Sequence, residues 1–299
     1  MELHQLRYFV AVADAGSFTR AAERCAVSQP SLSQQILKLE RDLKQRLFDR
    51  LGRKVLLTAA GRLLLDRAVG ILANVDDARR LLRDGDDLQG ARFSVGAIPT
   101  IAPYLLPAVL ERHLRRWPGV EVTVEEDVTA NVLRAVAAGE LDLGLVALPV
   151  RDERLDAEAL LTEPLLLALP PRHRLARRAR ITPDDLHDER FILLGEMHCL
   201  GEQVLSFCRA SGCQPRITCR SAQIATIEAL IAAGQGISLL PAMARRGGGV
   251  RLVYRTLADG QPTRTVAAVR HRQRYHSPAA ERFLVGLRSL SAAFETAAE

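Results

Sequence analysis

The 299-residue chain combines 48% hydrophobic with 25% charged residues, which is the balance of a folded globular protein rather than of a disordered or membrane protein. The length favours two or more domains. A net charge of +6 permits a polyanionic partner such as nucleic acid. Because no apolar run is long enough to span a membrane and no signal peptide is evident, we expect the protein to remain in the cytoplasm.

Three short helices are predicted at the N-terminus. Apolar residues between Leu3 and Gly16 follow helical spacing, and Ser17 is a candidate N-cap for a second helix. Ser28 is the corresponding cap of a third helix, with Pro30 in the first turn, where its missing N–H costs nothing. Helices of about eight and about fourteen residues that are joined by a three-residue turn form a helix-turn-helix.

The outward face of the third helix carries short polar side chains that are suited to reading base edges in a DNA major groove. Residues 47–58 then predict a hairpin with a basic tip, whose cations would hold phosphates without reading sequence. The alternative is that the polar face is merely solvated. The predicted base-reading residues are Gln29, Pro30, Ser31, Ser33, Gln34 and Lys38, and the predicted phosphate contacts are Arg50, Arg53 and Lys54.

A long helix is predicted from Thr58 to about Asp86. Its apolar residues alternate spacings of four and three, which is typical of a helix that pairs with a second copy of itself. We therefore expect a dimer that presents two recognition helices to a two-fold site, the alternative being that the helix packs on its own domain. Gly85 and Gly90 are predicted to end the helix and form a hinge. The seam comprises Leu64, Ala68, Ile71, Val75, Ala78 and Leu82.

From residue 92 onwards, strand and helix patterns alternate, which predicts an α/β fold with a parallel sheet. Two such units joined by two chain crossings predict two lobes with a ligand cleft between them. The predicted fold class is α/β with an all-α winged helix-turn-helix head and a two-lobed effector domain like that of periplasmic binding proteins. The predicted boundaries are 1–58 for the head, 59–90 for the linker helix and hinge, and 91–299 for the effector domain, with lobe I at 91–162 and 267–299 and lobe II at 163–266.

The chain resembles the LysR-type transcriptional regulators over almost its whole length. The strongest signature is Ser17-Phe18-Thr19-Arg20-Ala21-Ala22, followed by Val-Ser-Gln-Pro-Ser-Leu-Ser at 27–33. The effector half is most similar to the hydrogen peroxide sensors of that family, through residues 98–107, His198-Cys199-Leu200 and the segment 203–208. The resemblance implies an activator that binds double-stranded DNA, joins the dimers expected from the linker helix into a tetramer, and has RNA polymerase as a further partner.

By this resemblance, Cys199 is the peroxidatic cysteine and Cys208 is its resolving partner. A position just before a predicted helix over 200–210, beside His198, favours the thiolate that attacks peroxide. A second thiol then condenses with the resulting sulfenic acid. Residues nine apart on one straight helix are about 13.5 Å apart along its axis, whereas a disulfide needs Cα atoms within about 7 Å. Bridging must therefore unwind this segment, which would act as the switch.

The resemblance also assigns peroxide-positioning roles to Thr100 and Thr129, each of which is predicted where a strand passes into a helix. Glu202 stands where the peroxide sensors have an aspartate, and Met197 stands where they have a small residue. Arg264, just before the returning strand, is a further candidate cation for the cleft.

Other interpretations remain open at this point. Cys25 is expected in the core of the head, and Cys213 and Cys219 are expected to be spectators in or beside a loop. Cys199 and Cys208 would be structural thiols if the protein instead bound a small organic inducer in the interlobe cleft without redox chemistry.

An enzyme is not expected, because the sequence has no hydrolase, metalloprotease or nucleotide-binding motif. We expect neither a cofactor nor a bound metal. A transporter's solute-binding protein would share the two lobes but would need an export signal and would lack the DNA-binding head.

Overall fold

A computed structural model of the chain describes residues 1–51, 54–83, 88–195, 198–247 and 251–296. The chain divides into two units, of which the first contains Met1–Arg83 and the second contains most of the remaining residues. In the ranges described, none of the helices combines the length and the apolar character needed to cross a membrane.

Local capping determines where the first helices begin and end. The first helix ends at Gly16, whose φ of 58° forms a left-handed C-cap. The hydroxyls of Ser17 and Ser28 accept hydrogen bonds from backbone N–H groups in the first turns of the next two helices. These helices are α1 (Leu3–Ala15), α2 (Phe18–Arg24) and α3 (Gln29–Leu43). The predicted helix-turn-helix is therefore confirmed, and Cys25, the half-buried C-cap of α2, packs against its core.

An antiparallel hairpin follows α3, with strands β1 (Phe48–Leu51) and β2 (Lys54–Leu57). Glu40 of α3 fixes its base, because one carboxylate oxygen accepts the N–H of Leu47 at 2.7 Å and that of Phe48 at 3.3 Å. The hairpin is the predicted wing.

The long helix α4 spans Ala59–Arg83. Its first predicted seam residues, Leu64 and Ala68, pack against the core of the head. The expectation that the whole seam faces a second copy is therefore wrong for this end of the helix. Further along, Ile71 and Leu82 are 38% and 88% exposed. Gly85, predicted to end the helix, lies outside the described residues.

The elements of the second unit follow the predicted alternation of strands and helices. They are β3 (Arg92–Ala97), α5 (Ala102–Arg116), β4 (Glu121–Glu126), α6 (Thr129–Ala138), β5 (Leu143–Ala147), β6 (Leu155–Leu169), β7 (Arg190–Leu194), α7 (Cys199–Ala210), β8 (Arg216–Ser221), α8 (Ile224–Ala232), β9 (Ser238–Pro241), β10 (Val253–Arg255), β11 (Thr263–His271) and α9 (Pro278–Thr296).

The main sheet is mixed, which corrects the expectation of a parallel sheet. The described strands run in the order β10-β6-β11-β5-β3-β4, with β9 also paired to β6. Strand β3 is parallel to β4 and β5, but β11 is antiparallel to both β5 and β6. Strand β6 carries the chain from one hydrophobic core of the second unit into the other, and β11 carries it back beside β6, so the two strands run in opposite directions. The predicted strand at 165–169 is the end of β6, which starts ten residues earlier, at Leu155.

Hydrophobic residues of the second unit form two cores. The first core lies around β3, β5, α5 and α9, and the second lies around β7, α7 and α8. Strand β6 contributes to both, with Leu161 in the first core and Leu165 in the second. Tyr104 of α5 packs against both cores, so this side chain marks where they meet.

Candidate functional site

The DNA-reading surface predicted on α3 lies opposite its buried face. Leu32, Ile36 and Leu39 are fully buried in the head. Helical geometry then turns the intervening residues outward. Gln29, Pro30, Ser31, Gln34 and Lys38 are exposed, and Ser33 is half-buried.

Two of the three predicted phosphate contacts, Arg50 and Lys54, lie on the strands of the wing. The backbone of Arg50 pairs with Val55, and that of Leu51 pairs with Lys54, so both strands lead to the tip. Arg53 lies outside the described residues, and the side chains of Arg50 and Lys54 are not described. Their contacts with phosphate remain predictions.

Cys199 occupies the contact between the two cores of the second unit. The residue begins α7, whose buried face belongs to the second core, yet the half-buried Cys199 side chain packs against the first core. The helix thus starts one residue earlier than expected, with His198 as its N-cap. A helix start of this kind offers free backbone N–H groups and a partial positive charge to an anion.

Gln203 lies one helical turn after Cys199, and residues four apart on a helix are neighbours. Its Nε2 donates to the carbonyl oxygen of Leu148, just after β5, at 3.4 Å. Its Oε1 is buried and has no hydrogen-bond partner among the described residues. This side chain therefore links α7 to the segment after β5 and leaves a buried acceptor unfilled one helical turn from Cys199. Its spacing of four residues from Cys199 is the signal in the sequence that points to this residue.

Thr100 is buried at the end of the turn after β3, and its hydroxyl oxygen accepts from Nη1 of Arg264 at 2.9 Å. Arg264 also pairs with Glu163 of β6 at 2.8 Å, and the second carboxylate oxygen of Glu163 accepts the N–H of Met243 at 2.7 Å. Arg264, expected as a cation open to the cleft, is instead fully enclosed and paired. Nothing in the sequence indicated Glu163, which lies 101 positions from its partner.

The remaining predicted peroxide-positioning groups differ in their placement. Thr129 is half-buried and begins α6, as predicted. Glu202 is exposed on the outer face of α7, where a hydrogen bond and the charge of Arg209 hold the pKa of its carboxyl below the usual value. The structure therefore does not bring Glu202 to Cys199, because Arg209 holds the carboxylate on the outer face. Met197 lies outside the described residues.

Cys208 lies in the last part of α7 and is only 2% exposed. Burial, together with a hydrogen bond to the thiol of Cys213, raises the pKa of Cys208 to about 12. Its backbone carbonyl accepts the N–H of Cys213 at 3.0 Å, so Cys213 is its close cysteine neighbour. Cys213, expected in or beside a loop as a spectator, is buried in the second core, and the half-buried Cys219 lies within β8.

Two family models match the chain. Residues 3–62 match the bacterial regulatory helix-turn-helix protein, lysR family, and residues 86–291 match the LysR substrate binding domain. A curated relative, the hydrogen peroxide-inducible genes activator of Dickeya chrysanthemi, is 35% identical over 90% of this chain and 89% of its own.

Solved structures agree with these matches. Full-length OxyR from Pseudomonas aeruginosa, a cysteine-to-aspartate variant, has a TM-score of 0.80 at 33% identity and covers 97% of this chain and 94% of its own. A cysteine-to-serine variant of Corynebacterium glutamicum OxyR, bound to H2O2, has a TM-score of 0.64 at 29% identity and covers 99% of this chain and 94% of its own. The chain therefore belongs to the LysR family of bacterial DNA-binding transcriptional regulators.

Proposed function

We propose that the protein is a transcriptional activator that detects hydrogen peroxide by oxidation of Cys199. The observation that carries the proposal is the position of Cys199, which begins a helix of the second core while its side chain packs against the first. A covalent change at this sulfur must alter the contact between the two cores. Further support comes from the peroxide named for the Dickeya relative and from the H2O2 in the Corynebacterium structure.

The chemistry requires two thiols and one peroxide. The thiolate of Cys199 attacks one peroxide oxygen, the O–O bond breaks, and the departing hydroxide takes up a proton to become water. The sulfenic acid then condenses with the Cys208 thiol, which releases a second water and leaves a disulfide. Thr100 and Thr129 would donate hydrogen bonds to the peroxide, His198 would assist proton transfer, and the unfilled Oε1 of Gln203 would accept a peroxide hydrogen.

Cys208 is poorly suited to react first. Its raised pKa keeps the thiol protonated at neutral pH, and its burial blocks access to solvent. Condensation with Cys199 therefore requires α7 to open and release Cys208 from the second core. This opening would carry the signal, because α7 contacts the first core through Cys199 and Gln203.

DNA binding and assembly would use the first unit. The exposed side of α3 would enter the major groove, with the wing on the phosphates. The exposed apolar residues of α4 would pair with a second copy, so that two recognition helices meet a two-fold site. A tetramer would join two such dimers, and contact with RNA polymerase would couple the oxidised form to activation.

Thiol counting tests this function. Full-length protein is titrated with stoichiometric H2O2, quenched with N-ethylmaleimide and mapped by peptide mass. We expect Cys199 to be lost first, well before Cys25 or Cys219. A Cys199→Ser variant should keep DNA binding but lose the response. Unchanged thiols at low peroxide excess, with a Cys199→Ser protein that still responds to an organic inducer, would overturn the proposal in favour of ligand sensing.

A further inference from the structure

Two cysteines are in contact at the C-terminal end of α7. Cys208 lies in the last turn, and Cys213 follows shortly after the helix ends at Ala210. Their exposed fractions are 2% and 4%, and both side chains belong to the second core. Neither the predicted DNA-binding surface nor the oxidation proposed for Cys199 gives Cys213 a role.

The turn after α7 explains this contact. The N–H of Cys213 donates to the carbonyl of Cys208 at 3.0 Å, and the N–H of Gly212 donates to the carbonyl of Arg209 at 3.3 Å. Gly212 has a φ of 71°. This pair of backbone hydrogen bonds around a left-handed residue is a Schellman motif. In this motif the two residues that share the outer hydrogen bond commonly pack their side chains together. Here both of those residues are cysteines, and both side chains are buried in the second core.

The same turn brings the two residues within reach of a disulfide. Standard bond lengths added to the 3.0 Å hydrogen bond limit the Cα–Cα distance between Cys208 and Cys213 to about 7 Å, the upper limit for a disulfide. Along α7, by contrast, Cys199 and Cys208 are about 13.5 Å apart. The folded helix therefore offers Cys208 a closer partner than Cys199.

We propose that Cys213 is a second redox partner of Cys208 and takes over its disulfide from Cys199. The inference rests on the proposed function for the first oxidation. The Cys213 thiolate attacks the sulfur of Cys208 in the Cys199–Cys208 disulfide, and the bond between Cys208 and Cys199 breaks. Cys199 leaves with the electron pair and takes up a proton equivalent to the one that Cys213 lost. No further oxidant is consumed, because the disulfide is only transferred.

The transfer gives the oxidised protein a second state. A disulfide between Cys208 and Cys213 joins positions that already touch at the end of the folded helix, so α7 can rewind while the bond is present. Cys199 is then again a thiol at the start of α7 and can react with another peroxide. The state with Cys199 bridged to Cys208 would thus end without an external reductant.

Trypsin digestion distinguishes the two disulfides, because Arg209 lies between Cys208 and Cys213 while no Lys or Arg lies between Cys199 and Cys208. A Cys199–Cys208 bond stays within peptide 191–209, whereas a Cys208–Cys213 bond joins this peptide to 210–216. Protein treated with one equivalent of H2O2 is quenched with N-ethylmaleimide at successive times. We expect the internal bond first and the joined peptides later, with Cys199 again alkylated. In the Cys213→Ala variant the joined peptides should be absent, and the internal Cys199–Cys208 bond should persist longer. In the Cys219→Ser variant the joined peptides should form as in the wild type.

A second measurement separates failure of this inference from failure of peroxide sensing. A Cys199→Ser variant is equilibrated with a reduced and oxidised glutathione couple and mapped in the same way. We expect the joined peptides here as well, since the Cys208–Cys213 pair does not depend on Cys199 for its geometry. Their absence at every glutathione ratio would overturn the inference. It would also be overturned if the wild type formed the internal bond and kept Cys213 fully alkylated throughout.

Discussion

Thr100 accepts a hydrogen bond from Arg264 through its side-chain hydroxyl and a second one through its backbone carbonyl, each at 2.9 Å. A hydroxyl has one donor and two acceptor positions. Arg264 therefore fills one acceptor position of the hydroxyl and leaves its hydrogen free to donate to a ligand. The buried cation fixes the threonine in place without blocking the role that we propose for it.

The ion pair behind Thr100 gives the first prediction. Arg264→Met leaves the Glu163 carboxylate buried without a counter-charge, which typically costs about 3–5 kcal/mol of folding free energy. Urea denaturation followed by the fluorescence of Trp117, the single tryptophan, should show this loss in the second unit. A double variant with Glu163→Gln should recover part of the stability. Equal destabilisation of the single and double variants would contradict the charge argument.

The face of α3 gives a prediction about DNA. Gln29→Ala should weaken binding to the specific operator by about 1–3 kcal/mol per lost base contact, with little effect on random DNA. Removing the charge of Arg50 should weaken binding to all sequences and lower the log–log salt slope by about one. Gln45→Ala, which lies just beyond the C-terminal end of α3, is the matched control. Equal effects of Gln29→Ala on both kinds of DNA would show that α3 does not read bases.

The exposed part of α4 gives a prediction about assembly. Leu82 is 88% exposed in the single chain, so Leu82→Glu should hardly alter its folding. The substitution places charge in the predicted pairing seam, and sedimentation should therefore show a larger dissociation constant for the dimer. Asn74→Glu, an exposed change outside the seam, should leave the oligomer intact. An unaltered oligomer in Leu82→Glu would place the interface elsewhere.

The sequence predicted features that depend on neighbouring residues and missed those that depend on distant ones. The helix ends at Gly16, Ser17 and Ser28 follow from local capping chemistry. The mixed sheet depends on β11 lying between β5 and β6, which strand patterns cannot reveal. The same limit hid Glu163, whose partner Arg264 lies on a strand far along the chain. The burial of Cys213 was not evident from its position just past a helix, because it depends on the turn that closes α7.

His113 gives a prediction about pH. Its ring is only 3% exposed, among Phe93, Trp117 and Phe283, and burial lowers its pKa below the usual 6.5. The unfolded chain therefore binds a proton first as pH falls, so the free energy of unfolding should decrease below about pH 6.5 until the folded state is also protonated. Urea midpoints between pH 8 and 5 measure this effect.

His113→Phe should remove part of this pH dependence. His271→Gln serves as the comparison, because burial also lowers the pKa of His271. Removing His271 should leave unchanged the part of the pH dependence of unfolding that comes from His113. A pH dependence identical in the wild type and in His113→Phe would exclude His113 as a source.

Gly201 provides a test of whether opening of α7 limits the proposed switch. A Cβ at this position would lie 2.5 Å from the carbonyl oxygen of Leu194 at the end of β7, which is too close for any real contact. Gly201→Ala must therefore displace the first turn of α7, at a cost of about 1–3 kcal/mol typical of overpacking. The displaced turn is already partly open, so the Cys199–Cys208 disulfide should form faster after a fixed dose of peroxide.

Rapid quenching with N-ethylmaleimide measures that rate, and Ser206→Ala on the exposed side of α7 is the control. A less stable Gly201→Ala protein with an unchanged rate of disulfide formation would mean that a step other than the opening of α7 is limiting.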